Sequence, residues 1–465
     1  VNSLNTAQHI HFIGIGGYGM SAIARVMLDM GYRVSGSDVM RKDLTDKLVA
    51  RGADVFIGHK ESNLDGAELV VYSTDIPKNN IELLAAAKLK IPYIHRSEML
   101  ARIINQKKGI AIAGAHGKTT TSSMIALVME NNNLDPTFVI GGEVLNIGSN
   151  AKAGSGEYVV AEADESDGTF LQYYPYAAVV TNIEADHLEN YEGNFENLKV
   201  AYRKFLSQVK PEGFAVVNYD DIYIQEIISD LKGNYITFGF NQAADLYAKD
   251  IEYINRNVSF IVINRGVTLG KVVLSVPGKH NILNALATLI IGLEAGIPFA
   301  GICAALKEFK GAKRRFQVIG EHNEMIVIDD YAHHPTEIQA TISAAKATGK
   351  RIIAVFQPQR YTRTFFLLDA FSRAFSEADE VVITDIYSPA GDSKIEGVDA
   401  KKLVELIREN SNEKTLYFPT KEEVYQYLDA VVKPNDLILT MGAGDIYKVA
   451  YQLADSWKNN CRDKV

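Results

Sequence analysis

Three times along this chain an apolar, β-rich run ends in a glycine or polar motif and passes straight into a helical pattern. The first unit runs from His9 to Ile15, through a glycine turn, along a helical pattern from Met20 to Met30, and on to Arg33–Asp38. The second starts at Gly109 with GIAIAGAHGKTTTSSMIALVME, and the third near Ile326 with IVIDDYAHHPTEIQATISAA. Such alternation predicts an α/β protein built on largely parallel sheets flanked by helices. Open α/β sheets bind ligands at the C-terminal ends of their strands, where these motifs fall. With 465 residues, a single core is improbable and several domains are expected. Asn105–Lys108 and the basic run Lys313–Arg315 are the candidate linkers, giving domains over 1–106, 107–312 and 313–465. No short repeat or low-complexity tract interrupts the pattern.

Composition narrows the function classes. A net charge of -9 argues against a general nucleic-acid binder, which carries a basic footprint. Anionic substrates stay open, because helix N-termini and local cations bind phosphate on an acidic protein. Two cysteines, Cys303 and Cys461, without a C-x-x-C pattern, argue against a disulfide framework or a zinc-thiolate site. The N-terminal stretch lacks the layout of a signal peptide, and no run of about 18 apolar residues exists to span a membrane. The most apolar helical stretch, Ile282–Ile297, is broken by Asn284 and Glu294 and reads as a core helix. A cytoplasmic protein without membrane insertion is expected.

Two loops have the chemistry of phosphate cradles. Gly14-Ile15-Gly16-Gly17-Tyr18-Gly19 follows a strand and opens a helix, and Asp38 ends the next strand, where a dinucleotide fold places its ribose-binding acid. Taken alone it reads as an NAD-binding dehydrogenase and predicts a nucleotide or nucleotide-sugar diphosphate, the alternative being a tight turn without ligand. Gly114-Ala115-His116-Gly117-Lys118-Thr119-Thr120-Thr121 is also a strand-to-helix junction. Ile112 occupies the place of the first glycine of the full phosphate-loop pattern, but the mechanics remain. Backbone N–H groups cradle phosphate, Lys118 reaches the terminal phosphates, and the Thr119 hydroxyl can ligate Mg²⁺. A dehydrogenase needs only the first loop. An enzyme joining a nucleotide-linked substrate to something at the expense of ATP needs both.

Further strand-end motifs supply charge. After Tyr158-Val159-Val160 come Glu162, Asp164, Glu165 and Asp167, which suit a hard cation shared with phosphates. Glu162, nearest the strand, is the expected ligand; the other three fit a solvated acidic turn equally well. His187 closes Thr181-Asn182-Ile183-Glu184-Ala185-Asp186-His187, with a metal or phosphate role expected, although imidazole suits Mn²⁺ better than Mg²⁺. In Pro277–Asn284, Asn281 and Asn284 would share a helix face and could read a purine edge, or serve as helix caps.

In their order and joint occurrence these motifs resemble the Mur ligases of bacterial cell-wall synthesis, from about His11 to Asp445. GIGGYGMSAIA, AGAHGKTTT, EADESDGTF, TNIEADHLENY, PGKHNILNALA, AKRRFQ, DDYAHHPTEI, FQPQRYTRT and MGAGDIY carry the resemblance. It implies Rossmann-like N- and C-terminal domains around a central phosphate-loop ATPase domain. Gly16, Gly17 and Gly19 would lie against a UDP pyrophosphate, with Asp38, His59 and Ser73 lining that substrate's site. Gly114, Ala115, His116, Gly117, Lys118, Thr119, Thr120, His280, Asn281, Asn284, Arg315 and Asp330 would contact ATP. Thr119, Glu162 and His187 would hold metal, and Tyr331, His333, His334, Arg360 and Arg363 would surround the amino acid and reacting carboxylate.

The implied reaction is ATP-dependent addition of L-alanine to the lactyl carboxylate of UDP-N-acetylmuramate through an acyl phosphate. Mg²⁺ would assist, Mn²⁺ could substitute, and the enzyme would be a monomer or homodimer. His333 or His334 would handle the amine proton, capping of a helix start being their alternative role. The forked donors of Arg363 would bind the amino acid's carboxylate. Two departures stand out: Gln359 replaces a histidine common in the family, and Tyr202 stands where sister enzymes carry a carbamylated lysine, so no carbamate is expected. Within the family the runner-up adds a recycled tripeptide to the same muramate. From other classes, a dehydrogenase would need no ATP, and a nucleotide-binding regulator would transfer no acyl group.

Overall fold

The computed structural model describes residues 8–166, 168–254, 256–388 and 392–462; Asp167, one of the four acidic residues above, and the side chain of Cys461 lie outside the described set. It is an α/β protein on three sheets. The first is parallel throughout, in the order Asp54–Ile57, Arg33–Asp38, His9–Ile13, Leu69–Tyr72, Tyr93–His95. The second has ten strands; at its centre Phe214–Asn218, Ala177–Val180, Lys108–Ala113, Tyr158–Glu162 and Thr137–Val144 run parallel. In the third, Met325–Asp330, Asp436–Met441, Arg351–Phe356, Glu380–Ile383 and Thr415–Tyr417 run parallel, with Gln317–His322 antiparallel at one edge.

The central strands read as unbroken apolar runs because helices cover both faces. Lys108–Ala113 and Ala177–Val180 are buried from Gly109 and Ala177 onward. The helix Tyr18–Asp29 shows the other pattern, burying Met20, Ile23, Val26 and Met27 at helical spacing. Each such side chain contributes roughly 1.5–3 kcal/mol when fully buried.

By compactness the chain divides into two units: residues 1–249, 261–272 and 283–309, and residues 250–260, 273–282 and 310–465. Asn105–Lys108, expected as a linker, is not one. Asn105 and Gln106 end the helix Arg96–Gln106, and Lys108 already begins the next strand. Lys107 donates to the carbonyls of Gly154 and Gly156 at 3.1 and 2.8 Å, and the Asn105 carboxamide accepts from the Tyr174 amide at 2.8 Å. Polar composition does not mark a linker where Asn105, Lys107 and Lys108 have fixed partners. One continuous hydrophobic cluster accordingly joins Ile10, Phe12 and Val26 to Ala111, Val159 and Phe205.

Candidate active site

The first glycine loop leaves its strand through Gly14 at φ +82°, a left-handed conformation that favours glycine. Strand register puts Ser73 beside it, its hydroxyl 3.6 Å from where a Gly14 Cβ would stand. The Gly16 amide donates to the Asp38 carboxylate at 2.9 Å, and a Cβ on Gly16 would come within 2.7 Å of that same oxygen. Asp38 is buried and also paired with Lys42 at 3.3 Å, so it shapes the loop from below. His59 is fixed through Nδ1 by Ser37 at 3.0 Å and Glu82 at 3.1 Å. Burial works against the Glu82 charge, but the nearby His11 ring and hydrogen bonds from Ser37 and Asn63 hold its pKa down at about 2.

The second loop sits where three strand ends meet. Register aligns Ile112 with Glu162 on one side and Ala113 with Val180 on the other. Gly114 at φ +133° passes so close to Thr181 that a Cβ would lie 2.1 Å from its hydroxyl. The Asn182 carboxamide accepts from the His116 amide at 2.9 Å and donates to the His116 carbonyl at 3.0 Å. His116 also pairs through Nε2 with Glu184 at 3.1 Å. Gly117, at φ +85°, is the N-cap of the helix Lys118–Asn131, and Thr119 and Thr120 lie in its first turn. Asn284 stands against this start: Thr121 donates to its carboxamide oxygen at 3.1 Å.

Lys118 bends back over the loop, donating to the Gly114 and Ala115 carbonyls and to both Glu165 oxygens, at 2.9 and 3.0 Å. Burial opposes its charge, yet Glu165, Asp164 and Glu162 together raise its pKa, so the ammonium is held charged. Of the two roles left open for Glu165, burial excludes the solvated turn: it is 4% exposed. The sequence signal was a lysine that needs a counter-charge in a dry loop. Glu162 accepts from the Gly141 amide at 2.7 Å. His187 adopts a left-handed φ of +55°, uncommon outside glycine and often a mark of function, and pairs with Asp186 at 3.5 Å. Tyr202, at the position where sister enzymes carry carbamylated lysine, is a buried core residue packed on Phe170.

The remaining candidates lie in the second unit. Lys279 and His280 line a cavity of about 880 Å³ with Thr336, Gln339 and Ser343. Asn281, in the first turn of the helix Lys279–Glu294, donates back to the Pro277 carbonyl at 2.6 Å. Asp330 accepts from the Phe316 and Ala332 amides, both at 2.7 Å, and burial pushes its pKa up to about 7. Arg315 reaches Glu337 at 3.5 Å and lies over the Tyr331 ring. Its neighbour Arg314, which sequence reasoning passed over, pairs with Asp329 at 2.9 Å and holds the Gly442 and Gly444 carbonyls.

The adjacent histidines divide their roles. His334 stands at the N-cap position of the helix Pro335–Lys346, its amide donating to the Glu337 carboxylate at 3.3 Å. His333 hydrogen-bonds the Tyr331 carbonyl through Nδ1 at 2.9 Å, which makes that nitrogen the protonated one and leaves Nε2 an acceptor. Burial lowers its pKa to about 4, so the ring is neutral at pH 7. Arg360 carries φ +67° as N-cap of the short helix Tyr361–Phe366, and Arg363 donates to the Gln359 carboxamide at 3.4 Å. Gln359 therefore orients an arginine.

Comparison with known proteins gives this arrangement a family. Residues 9–108 match the Mur ligase family catalytic domain, 112–292 the Mur ligase middle domain, and 314–444 the Mur ligase glutamate ligase domain. The UDP-N-acetylmuramate–L-alanine ligase of Pelotomaculum thermopropionicum is 49% identical over 98% of this chain and 99% of its own length. The chain belongs to the Mur ligase family. The crystal structure of UDP-N-acetylmuramate-alanine ligase from Thermotoga maritima superposes with a TM-score of 0.82 at 28% identity, covering 97% of this chain and 99% of that one. A murein peptide ligase from Psychrobacter arcticus shares the fold, with a TM-score of 0.71 at 24% identity over 97% and 99% of the two chains. As a Mur ligase, the chain is an ATP-dependent ligase on a three-domain α/β fold. No helix among the described residues is long and apolar enough to cross a membrane.

Proposed function

We propose that this Mur ligase joins L-alanine to the lactyl carboxylate of UDP-N-acetylmuramate, forming UDP-N-acetylmuramoyl-L-alanine, ADP and phosphate in the cytoplasm. The observation that carries the reading is Lys118, held charged where three strand ends meet, in a chain matching an alanine-adding relative over 98% of its length. Residues 1–106 would bind the muramate, 107–312 ATP, and 313–465 the amino acid, in a monomer or homodimer.

A carboxylate is a poor electrophile, so ATP first phosphorylates it. In that step two anions, the carboxylate and the terminal phosphate, must approach, and Lys118 offsets their repulsion. The amides that open the helix Lys118–Asn131 cradle the triphosphate, those of Ala115 and His116 being taken by Asn182, and Asn284 braces the loop. Thr119 and Glu162 would offer oxygen donors suited to Mg²⁺, and His187 a nitrogen donor that Mn²⁺ would also accept. When bound, the ion neutralises phosphate charge. His280, Asn281, Arg315 and Asp330 line the nucleotide from their own elements. Gly16, Gly17 and Gly19 receive the UDP diphosphate, beside Asp38, His59 and Ser73.

The amine attacks only as the free base. His333, neutral with Nε2 as acceptor, holds one amine hydrogen; with a pKa near 4 it orients the nucleophile and is too weak a base to store its proton. Arg363, oriented by Gln359, binds the carboxylate alongside Arg360 and Tyr331, while His334 stands at the N-cap position of the helix beneath.

The test is product identification with L-alanine, L-serine, glycine and a stem tripeptide, each given with ATP and UDP-N-acetylmuramate. L-alanine should give the highest kcat/KM. Preference for the tripeptide would replace the reading with a recycling ligase.

A further inference from the structure

We propose that Arg96 is a substrate-binding residue that holds the diphosphate of the nucleotide-linked substrate over the first glycine loop, with Asp164 as its positioning residue. The inference rests on the reading that Gly14–Gly19 receives UDP-N-acetylmuramate, and adds to it the cation that this loop does not carry itself.

Arg96 opens the helix Arg96–Gln106 directly after the edge strand Tyr93–His95. That strand runs parallel to the others of the first sheet, so its C-terminal end lies on the same side as Gly14. The guanidinium reaches across to the start of the helix Tyr18–Asp29. Its Nη1 lies 3.2 Å from where a Cβ on Gly19 would stand. A Cβ at 19 would require the guanidinium to give by a few tenths of an ångström. That helix has no side-chain cap and no acidic residue in its first turn. Its amide-rich N-terminus and the Arg96 fork therefore present one concentrated positive region, and the fork matches the geometry of phosphate oxygens.

The other face of Arg96 meets Asp164, Nη2 to Oδ2 at 3.9 Å. Asp164 is the neighbour of Glu165, which holds Lys118. Two consecutive carboxylates after the strand Tyr158–Glu162 thus hold the cations that serve the two glycine loops. At 3.9 Å, with side-chain exposures of 27% and 42%, the Arg96–Asp164 pair adds little stability; its effect is to aim the guanidinium. That exposure also leaves Arg96 open to a ligand.

Calorimetric binding of UDP, UDP-N-acetylmuramate and ATP to the wild-type chain, R96M, R96K and D164N tests this, with thermal melting as the folding control. R96M should weaken UDP and UDP-N-acetylmuramate by about 10- to 100-fold, the range for a charge-assisted hydrogen-bonded group, and leave ATP unchanged. R96K should recover part of the loss, and D164N should lose several-fold. Unchanged UDP binding in folded R96M or R96K would overturn the proposal, as would equal loss of UDP and ATP. Weakening of UDP-N-acetylmuramate but not UDP would move the guanidinium to the lactyl carboxylate and overturn the diphosphate assignment. Failure of the wild-type chain to bind either uridine nucleotide would instead sink the reading of the loop itself.

Discussion

The two glycine loops solve one problem in different ways. Both leave a parallel strand through a left-handed glycine and enter a helix whose N-terminus faces the ligand side. The first is braced by one buried charge, Asp38, which takes the Gly16 amide. The second is gripped at His116 by Thr181, Asn182 and the Glu184 carboxylate, and it carries its own cation in Lys118, fixed by Glu165. A loop that only binds a diphosphate can use backbone amides and a cation from elsewhere. A loop at which a phosphoryl group moves needs its cation built in, fixed and kept charged.

This contrast predicts unequal sensitivity. Lys118→Ala should lower ATP-dependent turnover by about 10² to 10³-fold or more, as removal of a preorganised electrostatic group does. Steady-state phosphate release reads this, and substantial residual turnover would sink the role. Gly114→Ala places a side chain at φ +133° and 2.1 Å from the Thr181 hydroxyl. It should cost about 1–3 kcal/mol in a denaturant melt and weaken ATP binding first. Asp38→Asn keeps an acceptor for Gly16 but removes the charge. A few-fold rise in KM for UDP-N-acetylmuramate with KM for ATP unmoved is expected; an equal rise in both would break the separation of the two loops. Gly17→Ala is the smallest change. Gly17 has φ -72°, and its nearest neighbour would be at an ordinary 3.6 Å, so stability should move by no more than about 0.5 kcal/mol.

Much of this was legible in the chain because strand-end motifs combine local signals with a topological rule. The glycines, Lys118, Thr119 and Glu162 could be placed at strand ends from pattern alone. The partners could not. Glu165 looks like surface acid until its burial against Lys118 is known, and Arg96 is an unremarkable residue until the sheet brings it to Gly19. Arg314 and Arg315 are adjacent and alike in sequence, yet Arg314 is tied into the carbonyls of Gly442 and Gly444 while Arg315 reaches Glu337. The supposed linker at Asn105–Lys108 misled for the same reason: polar residues read as solvated whenever their hydrogen-bond partners are far away in sequence, here 47 to 69 residues away.

The central claim is that one loop activates ATP toward a substrate held by the other. Phosphate release from ATP, measured with UDP-N-acetylmuramate present and absent and with L-alanine present and absent, tests it most directly. Sustained release should require both, with one equivalent of UDP-N-acetylmuramoyl-L-alanine formed per phosphate. Release at the same rate without UDP-N-acetylmuramate, or consumption of ATP with no amide product, would contradict it.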